Sequence, residues 1–300
     1  MESSARRAFL TGRRAAQTPW EEFLRKLRHR ARGRVFDFNA PAGSARLVPE
    51  DMADVHSARM LCQEFGIRLA LDGVQHSTRM DEQAVLWVEP GLAMSRFERL
   101  SEGDTRWFVQ PGCLLGDLEE AGLRQFKDIP CHLTVAAWLA DREWCDWDAG
   151  HTADSGLVHA SVLLNDGTQG NLGAFGEANQ KPLGTARLQS LIPQLFELST
   201  GALAGRQGGQ AIWPARYRLD ALTPEAGRTV NLAHLLLGHG GDLGWVEWVV
   251  LDERAPVFEQ RPYSDRYFRR EAGEDAATLD RQVKLMFDAL GIFPDPGQSA

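Results

Sequence analysis

The sequence predicts an α+β fold, and three observations carry that prediction. Apolar runs with strand composition alternate at short intervals with runs at helical spacing, which excludes an all-α or all-β chain. Asn231–Glu253 reads as an apolar run, a turn holding Gly238, Gly240, Gly241 and Gly244, and a Trp/Val-rich strand beginning at Trp245. Asn165-Asp166-Gly167 closes a strand over Val158–Leu164, a good hairpin or turn signal. With 300 residues the chain is long enough for two lobes around sizeable cores.

The elements follow in order. Thr18-Pro19-Trp20-Glu21 starts a helix with a capping box and Pro in the first turn. Trp20, Phe23, Leu24 and Leu27 recur along it, and Gly33 ends it. Val35–Phe38 is a short strand, and 39–45 is a turn-rich linker. Asp51 or Asp54 caps a helix running to Gly66, and Ile67–Leu71 is the next strand. Val85–Val88 and Thr105–Gln110 are strands, Leu114–Leu123 a helix, Leu183–Leu203 mostly helix, and Asp275–Leu290 the last helix.

Composition excludes several function classes. The net charge of −8 argues against a general nucleic-acid binder. Residues 1–34 nevertheless carry ten Lys/Arg against three Glu, so this segment is +7 and the remainder −15. That is either a solvated helix with an arm or a docking arm for an acidic partner or surface. Cys62, Cys113, Cys131 and Cys145 lack zinc spacing and read as reduced thiols, with a cytoplasmic location expected. No apolar run is long enough for a membrane span.

Other chemistry is weakly supported. Gly238, Gly240 and Gly244 fit a dinucleotide loop only if a helix follows, and the following run reads as strand. His239-Gly240-Gly241 resembles an oxyanion loop without any GxSxG nucleophile. His151, Asp154 and His159 lack regular metal-ligand spacing, so no metal is expected. Trp245 and Trp248 differ by an odd number and face opposite sides of their strand.

The block 231–253 resembles the "LLxGSEGTLGIVTE" segment of FAD-linked oxidases of the vanillyl-alcohol oxidase/p-cresol methylhydroxylase (PCMH) type, which include D-lactate and glycolate dehydrogenases. Here His239, Gly240 and Asp242 stand at the family's Ser, Glu and Thr. Further segments follow in the family's order. Pro49 through Leu71 resembles the opening, and Gly73 alone survives from its glycine-rich loop. Val109-Gln110-Pro111-Gly112 with Asp117, Leu118, Gly122 and Leu123 resembles "VQPGxxxxDLxxxLxxxGL". Thr134 is kept where Ala136 and Ala137 replace two glycines. Gly150–Gly167, Arg216–Leu222 and Val283–Gly297 complete the series.

This resemblance implies a two-lobed PCMH-type FAD-binding domain over 46–252, with lobes at 46–110 and 111–252. A basic arm and helix (1–45) precede it, and a truncated cap remnant with a C-terminal helix (253–300) follows. It implies FAD as cofactor and a 2-hydroxy acid of the lactate or glycolate type as substrate. A partner subunit or dimer mate would complete the pocket, because so little cap is present. Flavin contacts implied are Gly73, Gln75, His76, Ser77, Pro111, Gly112, Cys113, Thr134, Ala136, Ala137, Gly150, Gly156, Val158, Gly240, Gly241 and Leu243, with His239 and Arg270 as catalytic candidates. A Cβ where a diphosphate must meet bare amides opposes binding. The alternative is therefore a cofactor-free accessory or interaction protein of the same fold.

Overall fold

A computed structural model describes residues 18–76, 78–176, 184–207, 209–270 and 273–296, and also excludes the side chains of Thr78 and Arg79. Helix α1 (Pro19–Arg30) begins with the expected capping box: Thr18 accepts from the Glu21 amide, and Glu21 accepts from the Thr18 amide. Phe23, Leu24 and Leu27 form its buried face. Strands β1 (Arg34–Asp37) and β2 (Ser44–Val48) follow, and Asp51 then caps α2 (Met52–Phe65). Gly66 ends α2 at φ 66°, a conformation that favours glycine. The nearly buried Asp54 carboxylate accepts the amides of Arg32, Gly33 and Glu50 at 2.8–2.9 Å, which pins the α1–β1 connection to α2.

Strands β3 (Arg68–Leu71) and β4 (Val85–Val88) complete a four-stranded sheet of order β1-β2-β4-β3. It is parallel except for the β1–β2 pair. A second sheet, antiparallel throughout, has the order β5-β6-β9-β7-β8. Its strands are β5 (Phe97–Arg99), β6 (Arg106–Val109), β7 (Leu157–Leu163), β8 (Gln169–Gly173) and β9 (Trp245–Asp252). The helices α3 (Leu115–Glu120), α4 (Val135–Ala140), α5 (Ala186–Thr200), α6 (Ala202–Gln207) and α7 (Glu274–Phe287) follow in chain order.

The α+β expectation holds. The lobe boundary is corrected: the strands over 97–99 and 106–109, both within the first lobe as read from sequence, belong to the second sheet, where the latter bonds β9. Trp107 and Val109 pack into the larger core. Conversely, α1 and β1 belong to the first lobe, because Phe23, Leu24 and Leu27 join its core and β1 pairs with β2.

The smaller core does not stop at the first sheet. Leu47, Leu61, Leu69, Leu71 and Leu86 share one cluster with Ala136, Ala140, Leu163 and Trp245 from the second lobe and with Ile292 and Phe293 after α7. The C-terminal segment also binds the first sheet directly, since the Leu69 amide donates to the Ile292 carbonyl at 2.8 Å.

Candidate functional site

The glycine turn between the 3-10 segment Leu232–Leu236 and β9 sits on the C-terminal end of α4. Gly238 donates to the Leu139 carbonyl at 2.7 Å and Gly240 to the Ala140 carbonyl at 2.8 Å. Gly240 adopts φ 69°, and a Cβ there would lie 2.0 Å from the Arg216 guanidinium. A Cβ on Gly238 would meet Arg142, and one on Gly241 would come within 3.1 Å of Leu71. The glycines of this turn therefore admit the protein's own side chains.

Charge beside the turn is also matched internally. The fully buried Asp242 carboxylate accepts from Arg216 at 3.0 Å and from the Tyr217 hydroxyl at 3.3 Å. Burial holds its pKa above the ordinary value, against the opposing pull of Arg216 and Lys284. Lys284 donates to the Asp242 carbonyl at 2.7 Å, the Phe293 carbonyl at 3.2 Å and the Asp288 carboxylate at 2.6 Å. His239 is buried with no hydrogen-bond partner at Nδ1, and burial, with Arg216 adding to it, lowers its pKa to about 3. It stays neutral in ordinary buffers.

His239, Gly241 and Ala136 come together around one cavity with Leu69, Leu71, Gly244, Trp245, Val246 and Phe293. That cavity has room for about one water molecule. In the loop after β3, Gly73 (φ 85°) faces open space and its amide donates to the Asp72 carboxylate. Gln75 is exposed. His76 bonds the Leu71 carbonyl at 2.7 Å and lies against Trp87, with its pKa lowered by burial. Ser77 lies outside the described residues.

The remaining candidates are placed as follows. Pro111, Gly112 and Cys113 are buried, and the Gly112 amide donates to the Met94 carbonyl at 2.8 Å. Burial pushes the Cys113 thiol up to about 12, so it is no thiolate at neutral pH. Thr134 caps α4 by accepting the Ala137 amide, while the Ala136 amide donates to the Pro111 carbonyl. Gly150 donates to Asp220 and Gly156 to the Ala153 carbonyl. Val158 is half-buried on β7, and Leu243 is wholly buried. Arg270 pairs with Asp146 and lies over Tyr267, in a network with Arg142 and Arg261 rather than at the cavity. No group of residues suited to a metal is present among the described residues, and no described helix is long and apolar enough to cross a membrane.

Sequence reasoning missed the side chains that close the cleft: Arg216, Asp242, Lys284, Trp245 and Phe293. The resemblance had picked out their segments, and the i,i+4 spacing of Lys284 and Asp288 was a further signal, since it suits an ion pair on a helix.

No family model matches the chain, and no curated protein matches it. Similar solved structures are a BBE-like 1 variant of Physcomitrella patens, a xylooligosaccharide oxidase of Myceliophthora thermophila and an alkyldihydroxyacetonephosphate synthase. Their identities are 11%, 17% and 13%, and their TM-scores 0.44, 0.43 and 0.40. The matches cover 77%, 77% and 69% of this chain but only 44%, 42% and 31% of the others. The chain thus spans between about a third and under half of the structures it resembles. At these scores the likeness transfers neither cofactor nor substrate.

FAD can be tested against the residues themselves. It would need a slot between the lobes and backbone amides turned toward a diphosphate. The amides of Gly73, Gly112, Ala136, Ala137, Gly150, Gly156, Gly238 and Gly240 all donate to acceptors within the protein. The lobes meet through apolar side chains, and the cavity beside His239 holds about one water. In this ligand-free structure the amides named are thus satisfied internally, and FAD would have to replace those contacts on binding.

Proposed function

We propose that the chain is a cofactor-free form of the flavin-oxidase fold that serves as an accessory or interaction subunit. The observation that carries this reading is the closed cleft: Leu71, Leu163, Trp245 and Phe293 belong to one core that joins the two lobes. Oxidation of a 2-hydroxy acid would require the flavin as hydride acceptor. Arg270, one of the two catalytic candidates, is committed to Asp146, which also pairs with Arg142 and Arg261.

The test is dye reduction by the purified full chain with lactate or glycolate, with and without added FAD. The expected result is no reduction above the protein-free background in either case. Turnover that appears on adding FAD would overturn the reading and restore the oxidoreductase alternative.

A further inference from the structure

Strand β1 is an edge strand, hydrogen-bonded only to β2 in its sheet. The Phe38 amide donates to the Ser44 carbonyl, and the register pairs Asp37 with Ala45. Phe36 and Arg34 share the parity of Phe38, so the backbone groups of Val35 and Asp37 turn away from β2 toward the open edge. Phe36 and Phe38 leave 45% and 47% of their surface exposed on one face of this strand. An edge with free backbone groups and exposed apolar side chains is a template for strand addition.

The chain leading into this edge is basic, and Asp37, the acidic residue of the strand, accepts the Asn39 amide. From Phe23 to Phe36 the sequence holds six Lys/Arg and no Asp or Glu. Lys26 pairs with Glu22 and Glu64, and Arg32 with Asp51. Arg25, Arg28, Arg30 and Arg34 are exposed and in no ion pair among the described residues. Basic residues in the last turn of α1 suit its helix dipole, but Arg34 lies beyond the helix, on the strand itself.

We propose that the outer edge of β1 takes an extended acidic segment of another polypeptide, added as a further strand. Its main chain would bond Val35 and Asp37, its carboxylates would meet Arg30 and Arg34, and its alternate side chains would rest on Phe36 and Phe38. The chain's own residues 1–17 are poor occupants, because they carry four Arg against one Glu and meet a basic surface. A nucleic acid would share the charge complementarity but would not use the edge amides. This proposal stands on the first lobe alone and does not depend on the cleft being closed.

The test is fluorescence anisotropy of a labelled peptide of alternating Glu and Val, titrated with the full chain. Binding is expected, weakened by salt, and reduced at least about tenfold both in Val35→Pro and in Arg30→Glu/Arg34→Glu. Proline removes the outward amide while remaining tolerable on an edge strand, and circular dichroism confirms that each variant folds. The exposed Lys127→Glu, on the second lobe, leaves binding unchanged. Binding that Val35→Pro leaves intact, or no binding at all, overturns the proposal. So does tighter binding of labelled oligothymidylate, which assigns the patch to nucleic acid. A concentration-dependent dimer lost in Val35→Pro assigns the edge to a second copy instead.

Discussion

The loop after β3 and the turn before β9 were expected to do the same work, yet they differ in what their glycines face. Gly73 looks into open space, with nothing within 4 Å of a built Cβ. Gly238, Gly240, Gly241 and Gly244 all face protein atoms at 3.1 Å or less. One positive-φ glycine serves only a turn, whereas the others let side chains and backbone come into contact. A glycine-rich motif therefore reports close approach without saying whether a ligand or the protein does the approaching.

The largest effect is expected where the turn is locked from outside. Lys284→Met leaves the fully buried Asp288 without its cation and frees the Asp242 carbonyl. A loss of about 3–5 kcal/mol in urea denaturation is expected. A loss below about 1 kcal/mol would show that the pair does not hold the turn in place.

Gly240→Ala comes next, at about 2–4 kcal/mol, from left-handed strain plus the clash with Arg216. Gly73→Ala at φ 85° adds strain alone and is expected to cost about 1 kcal/mol. Equal losses in the two variants, compared by denaturation, would erase the distinction between the regions.

Acid sharpens the same contrast. His239 and His234 titrate at about 3 and about 4 in the fold, both lowered first by burial, against 6.5 when unperturbed. Their contribution is fully present above 6.5 and is lost as pH falls through those lower values. Asp280 opposes them, because burial raises its pKa from 3.8 to about 6 and its contribution is lost as pH rises through 6. Between pH 4 and 6 each of these two histidines makes stability fall on acidification, and Asp280 offsets one of them. His239→Asn is expected to reduce that slope by about 1.4 kcal/mol per pH unit, read from denaturation across this range. An unchanged slope would mean that His239 is not held neutral by burial.

Much of the fold was legible because its signals are local. The Thr18 capping box, the Gly66 cap and the Asn165–Gly167 hairpin are each set by a few adjacent residues. The lobe boundary was not, since nothing local to 106–109 says that its partner is β9. The site was legible only in part. The family resemblance assigned His239, Gly241 and Ala136 to one site, and all three line the same cavity. Its closure depends on contacts between distant segments, such as Lys284 on the Asp242 carbonyl and Phe293 in the core beside Trp245. No periodicity encodes such pairs.

The most direct measurement is the visible absorption spectrum of the full chain purified without denaturant, followed by titration with FAD in a calorimeter. A closed cleft predicts a colourless protein and no heat of binding. Flavin bands at one equivalent per chain, or saturable uptake of FAD, would show that the lobes part and would contradict the account.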